Sequence, residues 1–354
     1  MLSTQFVQTT RAPPRQQQVS DFQTLFLSLS GLSLGDKPSS DPGIVAAALF
    51  PPGDNVIFGH STFFKQNSGQ IDLPTPSAIR DAAVQGTHNV QTSGEGITTM
   101  PVPSLNLLVK YGPNVTITEA KCLLLLRRLL PQIPVPEVYG WRKDAGETFL
   151  YMSLPQGITL AEGWPLLSED QKTDICNQLK DIIDSWRRLK QSSNHNAVAN
   201  ITNGPLHTST FPSPAGPFST VSSFHEWFVH TAMQASAAQH GSRVTSSYHF
   251  QPNSFFRDDT PIVFTHGALS LQNIVISTGP NPRIVSILDW SQAGWYPAYW
   301  EFCKARRMGG AIRDWEATYL PWVLDHGEFG VKKWGGMTLC HYWDYFVGLM
   351  ERDG

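Results

Sequence analysis

A chain of 354 residues is too long for one small core and predicts two lobes or domains. Its 41% hydrophobic and 11% aromatic content is that of a globular protein, and 11 Trp with 19 Phe predict a well-filled interior or an aromatic-lined pocket. A formal net charge of −3, with only 16% charged residues, gives no basic footprint, so no nucleic-acid partner is expected.

Residues 1–20 are rich in Gln, Thr and Pro and read as mobile. Met1 to Gln18 is polar and lacks the apolar core of a signal peptide. Residues 21–35 are apolar with many Ser, and 36–54 carry Pro, Gly, Asp and Ser at loop density. Residues 1–70 are therefore expected to form a partly mobile extension. Within it, Gly31-Leu-Ser33-Leu-Gly35 matches the spacing of a nucleophile elbow. That motif needs a helix immediately after it, and a loop sequence follows, which excludes a serine hydrolase.

From Ile71 the pattern becomes regular, and 71–154 is expected to be a small mixed lobe. Asn106-Leu-Leu-Val-Lys110 reads as a strand ending in lysine. Thr116 to Leu130 reads as a helix with a capping box, Thr116 with Glu119, ended by Pro131. Val135 to Trp141 and Glu147 to Met152 read as further strands, and Pro155-Gln-Gly157 as a linker.

Residues 155–354 form the second expected lobe. Ser168 and Gln171 make another capping box. Behind them Ile175, Leu179, Ile182, Ile183, Trp186 and Leu189 recur at helical spacing, which predicts a helix over 169–190. Residues 195–220 read as a long surface loop, and Ser223 to Gln239 as a helix. Three short apolar strands follow at 262–265, 274–276 and 284–288, and from Pro297 the chain reads as mostly helical. The four cysteines, Cys122, Cys176, Cys303 and Cys340, are far apart with no Cys-x-x-Cys pair. Neither a disulfide framework nor a zinc site is expected. No run reaches the roughly 18 apolar residues of a membrane helix. A soluble cytoplasmic protein with no membrane partner is expected, and the N-x-T sequons at Asn114 and Asn200 read as chance matches.

The chemistry concentrates in 264–290: Phe-Thr-His266-Gly267-Ala268-Leu-Ser270-Leu-Gln-Asn273, then Ile-Leu-Asp289-Trp290. A carboxylate and a carboxamide oxygen at strand ends suit a hard cation such as Mg²⁺. The segment resembles the catalytic loop and metal-binding segment of the aminoglycoside phosphotransferase family, relatives of the protein kinases, with the same five-residue spacing from 268 to 273. Ala293-Gly-Trp-Tyr-Pro-Ala-Tyr-Trp-Glu301 and the Leu-Pro-x-Pro stretch at 73–76 resemble the fungal branch of that family.

The resemblance implies an α+β, two-lobed kinase-like fold, with a mixed N-lobe and a mainly helical C-lobe. It also implies roles. Lys110 resembles the strand lysine that pairs the nucleotide phosphates, and Glu119 its helix partner. Asn273 and Asp289 resemble the metal ligands, with ATP and Mg²⁺ the implied cofactors. The backbone of Phe149 to Leu154 would hold adenine. Thr92-Ser-Gly94-Glu-Gly96 is the candidate for a Gly-rich loop over the phosphates. His266, Ala268 and Ser270 fall at the catalytic positions. Trp290, Trp295 and Tyr299 would line a substrate pocket.

One departure bears on activity. The family has Asp where Ala268 stands, handling the proton of the substrate hydroxyl. Alanine cannot do this. Three functions stay open: a small-molecule enzyme of secondary metabolism reusing the pocket without normal phosphoryl transfer, a nucleotide-binding pseudokinase, or an ATP-dependent phosphotransferase engineered from Asp to Ala at 268. Aromatic richness and low charge point to a neutral or aromatic small-molecule substrate. Taken singly, Lys110 is a surface lysine, Glu119 a capping carboxylate, His266 a structural loop residue, and Asn273 and Asp289 loop and turn residues. Chain order and spacing join them.

Overall fold

The computed structural model describes residues 44–45, 50–67, 69–86, 90–93, 96–191, 196–240, 256–308, 312–324 and 338–351. The Gly31–Gly35 motif, the N-terminal stretch read as mobile and the Gly94-Glu95 pair lie outside them. The chain packs as two compact units, one centred on residues 48–157 with 285–288, the other on 158–284 with 289–354.

The first unit is built on strands β1 (Asn55–Ile57), β2 (Gln91–Thr92), β3 (Thr98–Val102), β4 (Leu107–Gly112), β5 (Val138–Asp144) and β6 (Glu147–Ser153). They form one antiparallel sheet in the order β1-β5-β6-β4-β3-β2. Three helices accompany it: α1 (Thr62–Gln66), α2 (Pro76–Val84) and α3 (Ile117–Leu129). Residues 55–66, which the sequence assigns to the extension, thus supply an edge strand and a helix. Every residue of β4 is buried, as a central strand with apolar neighbours requires. The core of this unit gathers Phe63, Ile79, Met100, Leu107, Val109, Tyr139, Phe149 and Tyr151. Thr75 caps α2 by accepting the Ala78 N–H, with Pro76 at the first helical position.

The second unit begins with β7 (Ile158–Thr159), α4 (Leu160–Gly163) and α5 (Glu169–Arg187). The capping box read at Ser168 and Gln171 is formed, and Ile175, Leu179, Ile183 and Trp186 are the buried stripe. Next come β8 (Ala199–Asn200), α6 (Val221–His240), β9 (Ile262–Thr265), β10 (Ile274–Ile276), β11 (Ile284–Ile287), β12 (Gly294–Pro297), α7 (Trp300–Met308), α8 (Leu320–Leu324) and α9 (Leu339–Met350). Of β11, residues 285–287 pack with the first unit, where the Ile287 N–H donates to the Pro134 carbonyl at 2.8 Å. Strands β8, β12 and β9 pair antiparallel. The core of the unit is aromatic, with Phe224, Phe228, Phe256, Trp300, Trp343 and Phe346 buried together.

Residues 196–220 are largely irregular and in part exposed, as read, but the loop is anchored. Val198, Ala199, Ile201 and Leu206 are buried, and the segment is stitched by bridges Val198 to Phe218 and Leu206 to Ala215. Among the described residues no helix is long and apolar enough to cross a membrane.

Candidate active site

In the first unit, Lys110 sits in the middle of the sheet, opposite Thr99 on β3 and Leu150 on β6. Its Nζ lies 2.8 Å from Glu119 Oε2 on α3, and both side chains are buried, 9% and 2% exposed. The capping box read at Thr116 is not formed, since the Thr116 side chain makes no cap bond. The carboxylate that would have closed it is held by Lys110 instead. A single charge pair inside the sheet outweighs a cap that solvent could replace.

Strand β6 pairs with β4 on one side, from Leu107 with Ser153 to Gly112 with Thr148, and with β5 on the other, from Val138 with Met152 to Asp144 with Glu147. Residues 149–152 therefore have their backbone groups taken by the sheet. At the end of the strand the Ser153 N–H donates to Glu137 O at 2.9 Å and the Leu154 N–H to Asn106 O at 3.1 Å, so both of these donors in the Phe149 to Leu154 segment are also taken. The β2–β3 hairpin turns at Ser93 to Ile97, and Gly96 O packs against Gly112 so closely that a side chain at 112 would collide with it.

In the second unit, β9 delivers the chain into a tight turn at His266-Gly267-Ala268. All three residues are buried. The Ala268 N–H donates to His266 Nδ1 at 3.1 Å, which places the ring proton on Nε2. His266 thus clasps its own loop, and its ring packs edge-on against Trp290 at 4.4 Å. Its geometry is that of the structural histidine, not of a base. The turn is also held from outside. Glu301, at the start of α7, accepts from the His266 N–H at 2.6 Å and from the Gly267 N–H at 3.0 Å. Burial pushes the Glu301 carboxyl above its ordinary range, opposed by the His266 N–H, the charge of Arg187, the Gly267 N–H and the charge of Lys304. Sequence reasoning missed Glu301. The only signal was a lone carboxylate inside the aromatic run 293–301.

Gly267 has φ +78°, and a Cβ there would lie 2.5 Å from Gln292 O. Replacing it with alanine is expected to destabilise the protein by about 2 kcal/mol or more, through left-handed strain and a backbone collision. The shift in the urea unfolding midpoint measures this, and a change under half that size counts against the described turn.

Asn273 follows a short turn whose N–H bonds to Ser270 O at 3.0 Å, and its Nδ2 donates to Ala268 O at 2.8 Å. That bond orients the carboxamide and ties it to position 268. Ser270 itself is buried at the head of the turn. Asp289 takes the left-handed conformation, φ 59°, and its Oδ1 accepts from Ser291 Oγ at 2.7 Å. Such a conformation in a non-glycine residue signals a carboxylate aimed by its surroundings. Among the described residues there is no group of three or more His, Cys, Asp or Glu that could hold a metal by themselves. One carboxylate and one carboxamide fit Mg²⁺, which takes one or two protein oxygens and completes its shell with water and phosphate.

The aromatic residues read as pocket-lining are in the core. Trp290 packs on Trp186 at 5.1 Å, Trp295 on Phe264 at 5.3 Å, and the Tyr299 hydroxyl bonds to His225 Nε2 at 2.8 Å. All three are buried. Much of their apolar area is consumed by packing.

Known proteins bear on this arrangement. Among solved structures, a thermostable mutant of aminoglycoside phosphotransferase APH(4)-Ia, in ternary complex with AMP-PNP and hygromycin B, is 15% identical at a TM-score of 0.49, over 78% of this chain and 89% of that one. The apo form of such a mutant is 16% identical at 0.47, over 81% and 88%. An aminoglycoside-3'-phosphotransferase of type VIII is 13% identical at 0.45, over 78% and 98%. No curated protein sequence matches. The model of the phosphotransferase enzyme family, APH, matches residues 116–329, more than half of the chain, and takes in Glu119, the His266 turn, Asn273, Asp289 and Glu301. With a sheet-built first unit, a mainly helical second unit and this match, the chain belongs to the phosphotransferase enzyme family, with its kinase-like fold.

Proposed function

We propose that this chain binds Mg·ATP or Mg·ADP, with Lys110 as its phosphate-binding lysine and Asn273 and Asp289 as its metal-binding residues, and that Ala268 leaves it without ordinary phosphoryl transfer. The observation that carries this reading is the buried Lys110–Glu119 pair at 2.8 Å. A buried ion pair adds little stability, and packed apolar residues of the same volume do as well or better. A buried strand lysine paired with a carboxylate on a helix is the kinase-type arrangement that receives phosphate oxygens. Asn273 and Asp289, each oriented by a hydrogen bond, supply the hard oxygens that would hold Mg²⁺, whose chemistry is to neutralise phosphate charge.

What this chain's residues do next differs from a working phosphotransferase. At position 268 a methyl group replaces the carboxylate, so no side chain there takes the acceptor's proton. His266 does not substitute, because its Nδ1 is bonded to the Ala268 N–H. The outcome is a nucleotide-binding, pseudokinase-like protein. The reading as a repurposed small-molecule enzyme of fungal secondary metabolism starts from the same Ala268 and stands as the alternative to this one. A neutral or aromatic small molecule remains the substrate class favoured by the low charge.

Thermal-shift titration with Mg·ATP tests the proposal. Millimolar nucleotide is expected to raise the melting temperature by several degrees, as ligand present at many times its Kd requires. Lys110→Ala is expected to abolish that shift. No shift in the parent protein overturns the reading.

A further inference from the structure

The second unit brings two thiols together that the sequence holds far apart. Cys303 on α7 and Cys340 on α9 have their Sγ atoms 3.2 Å apart. A disulfide needs about 2.05 Å, so closing the bond takes a movement of about 1 Å. The two helices are already pinned beside this pair. Arg306, one turn after Cys303, bonds to Asp344, one turn after Cys340, and also faces Glu316. The thiols are not equivalent. Cys303 is fully enclosed and Cys340 retains 7% exposure. Cys340 also lies in the first turn of α9, next to the Thr338 cap, where backbone N–H groups favour a thiolate.

We propose that Cys303 and Cys340 are an oxidation site, forming an intrachain disulfide when the folded protein meets a hydroperoxide. The Cys340 thiolate attacks the peroxide oxygen and breaks the O–O bond, giving a sulfenic acid and hydroxide. The Cys303 sulfur then attacks the Cys340 sulfur, the S–S bond forms, and the S–OH oxygen leaves with the Cys303 proton as water. Two thiols are oxidised and one peroxide is reduced to two waters. The protonation states suit this order. A hydrogen bond from Cys303, then the charge of Arg306, draws the Cys340 thiol below its ordinary range, while burial pushes Cys303 up. Cys122 and Cys176 are buried, and burial raises both thiols above their ordinary range. The disulfide would tie α9 to the helix that carries Glu301, and so to the clamp on the His266 turn.

The test is peptide mapping of the full-length protein after brief treatment with hydrogen peroxide, quenched with an alkylating agent under denaturing, non-reducing conditions. A Cys303–Cys340 linked peptide is expected, with free thiols falling from four to two and with Cys122 and Cys176 alkylated. In Cys303→Ser, dimedone is expected to label Cys340 as its sulfenic acid, and the parental peptide map stands by itself if that variant folds poorly. Recovery of Cys303 and Cys340 as separate alkylated or over-oxidised peptides overturns the proposal. So does linkage of Cys122 or Cys176 to the same extent.

Discussion

Ala268→Asp is expected to raise ATP turnover, to water or to an acceptor, by 10² to 10⁴-fold at most, the usual range for a positioned base, or about 3–5 kcal/mol of barrier. The change places a carboxylate five residues before Asn273, whose Nδ2 already holds the 268 backbone in place. Phosphoryl transfer is chiefly positioning and charge neutralisation, and the residues proposed for both are present. Ala268 is fully buried, so A268D also introduces a desolvated acid and is expected to melt lower than the parent. Release of inorganic phosphate, measured beside nucleotide binding, separates the possibilities. Brisk turnover means that only the base was missing, and it counts against a chemistry that bypasses phosphoryl transfer. An A268D protein that binds nucleotide yet hydrolyses it no faster than the parent overturns the proposal that position 268 alone silences the site.

Glu301→Ala is expected to be the most damaging single change in the second unit, at about 3–5 kcal/mol in urea unfolding. It orphans two buried N–H groups, those of His266 and Gly267, each of which costs about 1–3 kcal/mol without a partner. It also removes the negative charge that faces Arg187 and Lys304. The conservative Glu301→Gln keeps one acceptor oxygen and is expected to lose about half as much. The pH dependence has a defined sign. Since burial raises the Glu301 carboxyl, the folded state holds its proton to higher pH than the unfolded chain does. The stability of the parent relative to E301Q therefore falls as pH rises through and above the ordinary carboxylate range. An E301A protein that unfolds within 1 kcal/mol of the parent would sink this account of the turn.

Most of the fold was legible because its elements are locally self-consistent. The 169–187 helix carries both its cap and its stripe, and β4, β9 and β10 are short apolar runs bounded by turn residues. The candidate site was legible through spacing at positions 268, 273 and 289. What escaped depends on contacts remote in sequence. Glu301 acts on backbone 34 and 35 residues away. Periodicity and capping alone read Glu119 as a cap, and only the family resemblance joined it to Lys110, nine residues earlier on a strand. The aromatic residues 290–299 looked available because a sequence records ring identity but not which rings other rings already cover. The anchoring of loop 196–220 at Ala199 and Asn200 was hidden for the same reason, because their partner is strand β12 nearly a hundred residues on.

Residues 285–288 pack with the first unit although most of that unit ends at Gly157. During synthesis, the sheet that carries Lys110 therefore leaves the ribosome long before the segment that bonds to Pro134. The first unit stays incomplete until the His266 turn and Asn273 have also emerged. Docking of that late segment waits until nearly the whole of 158–284 has been made.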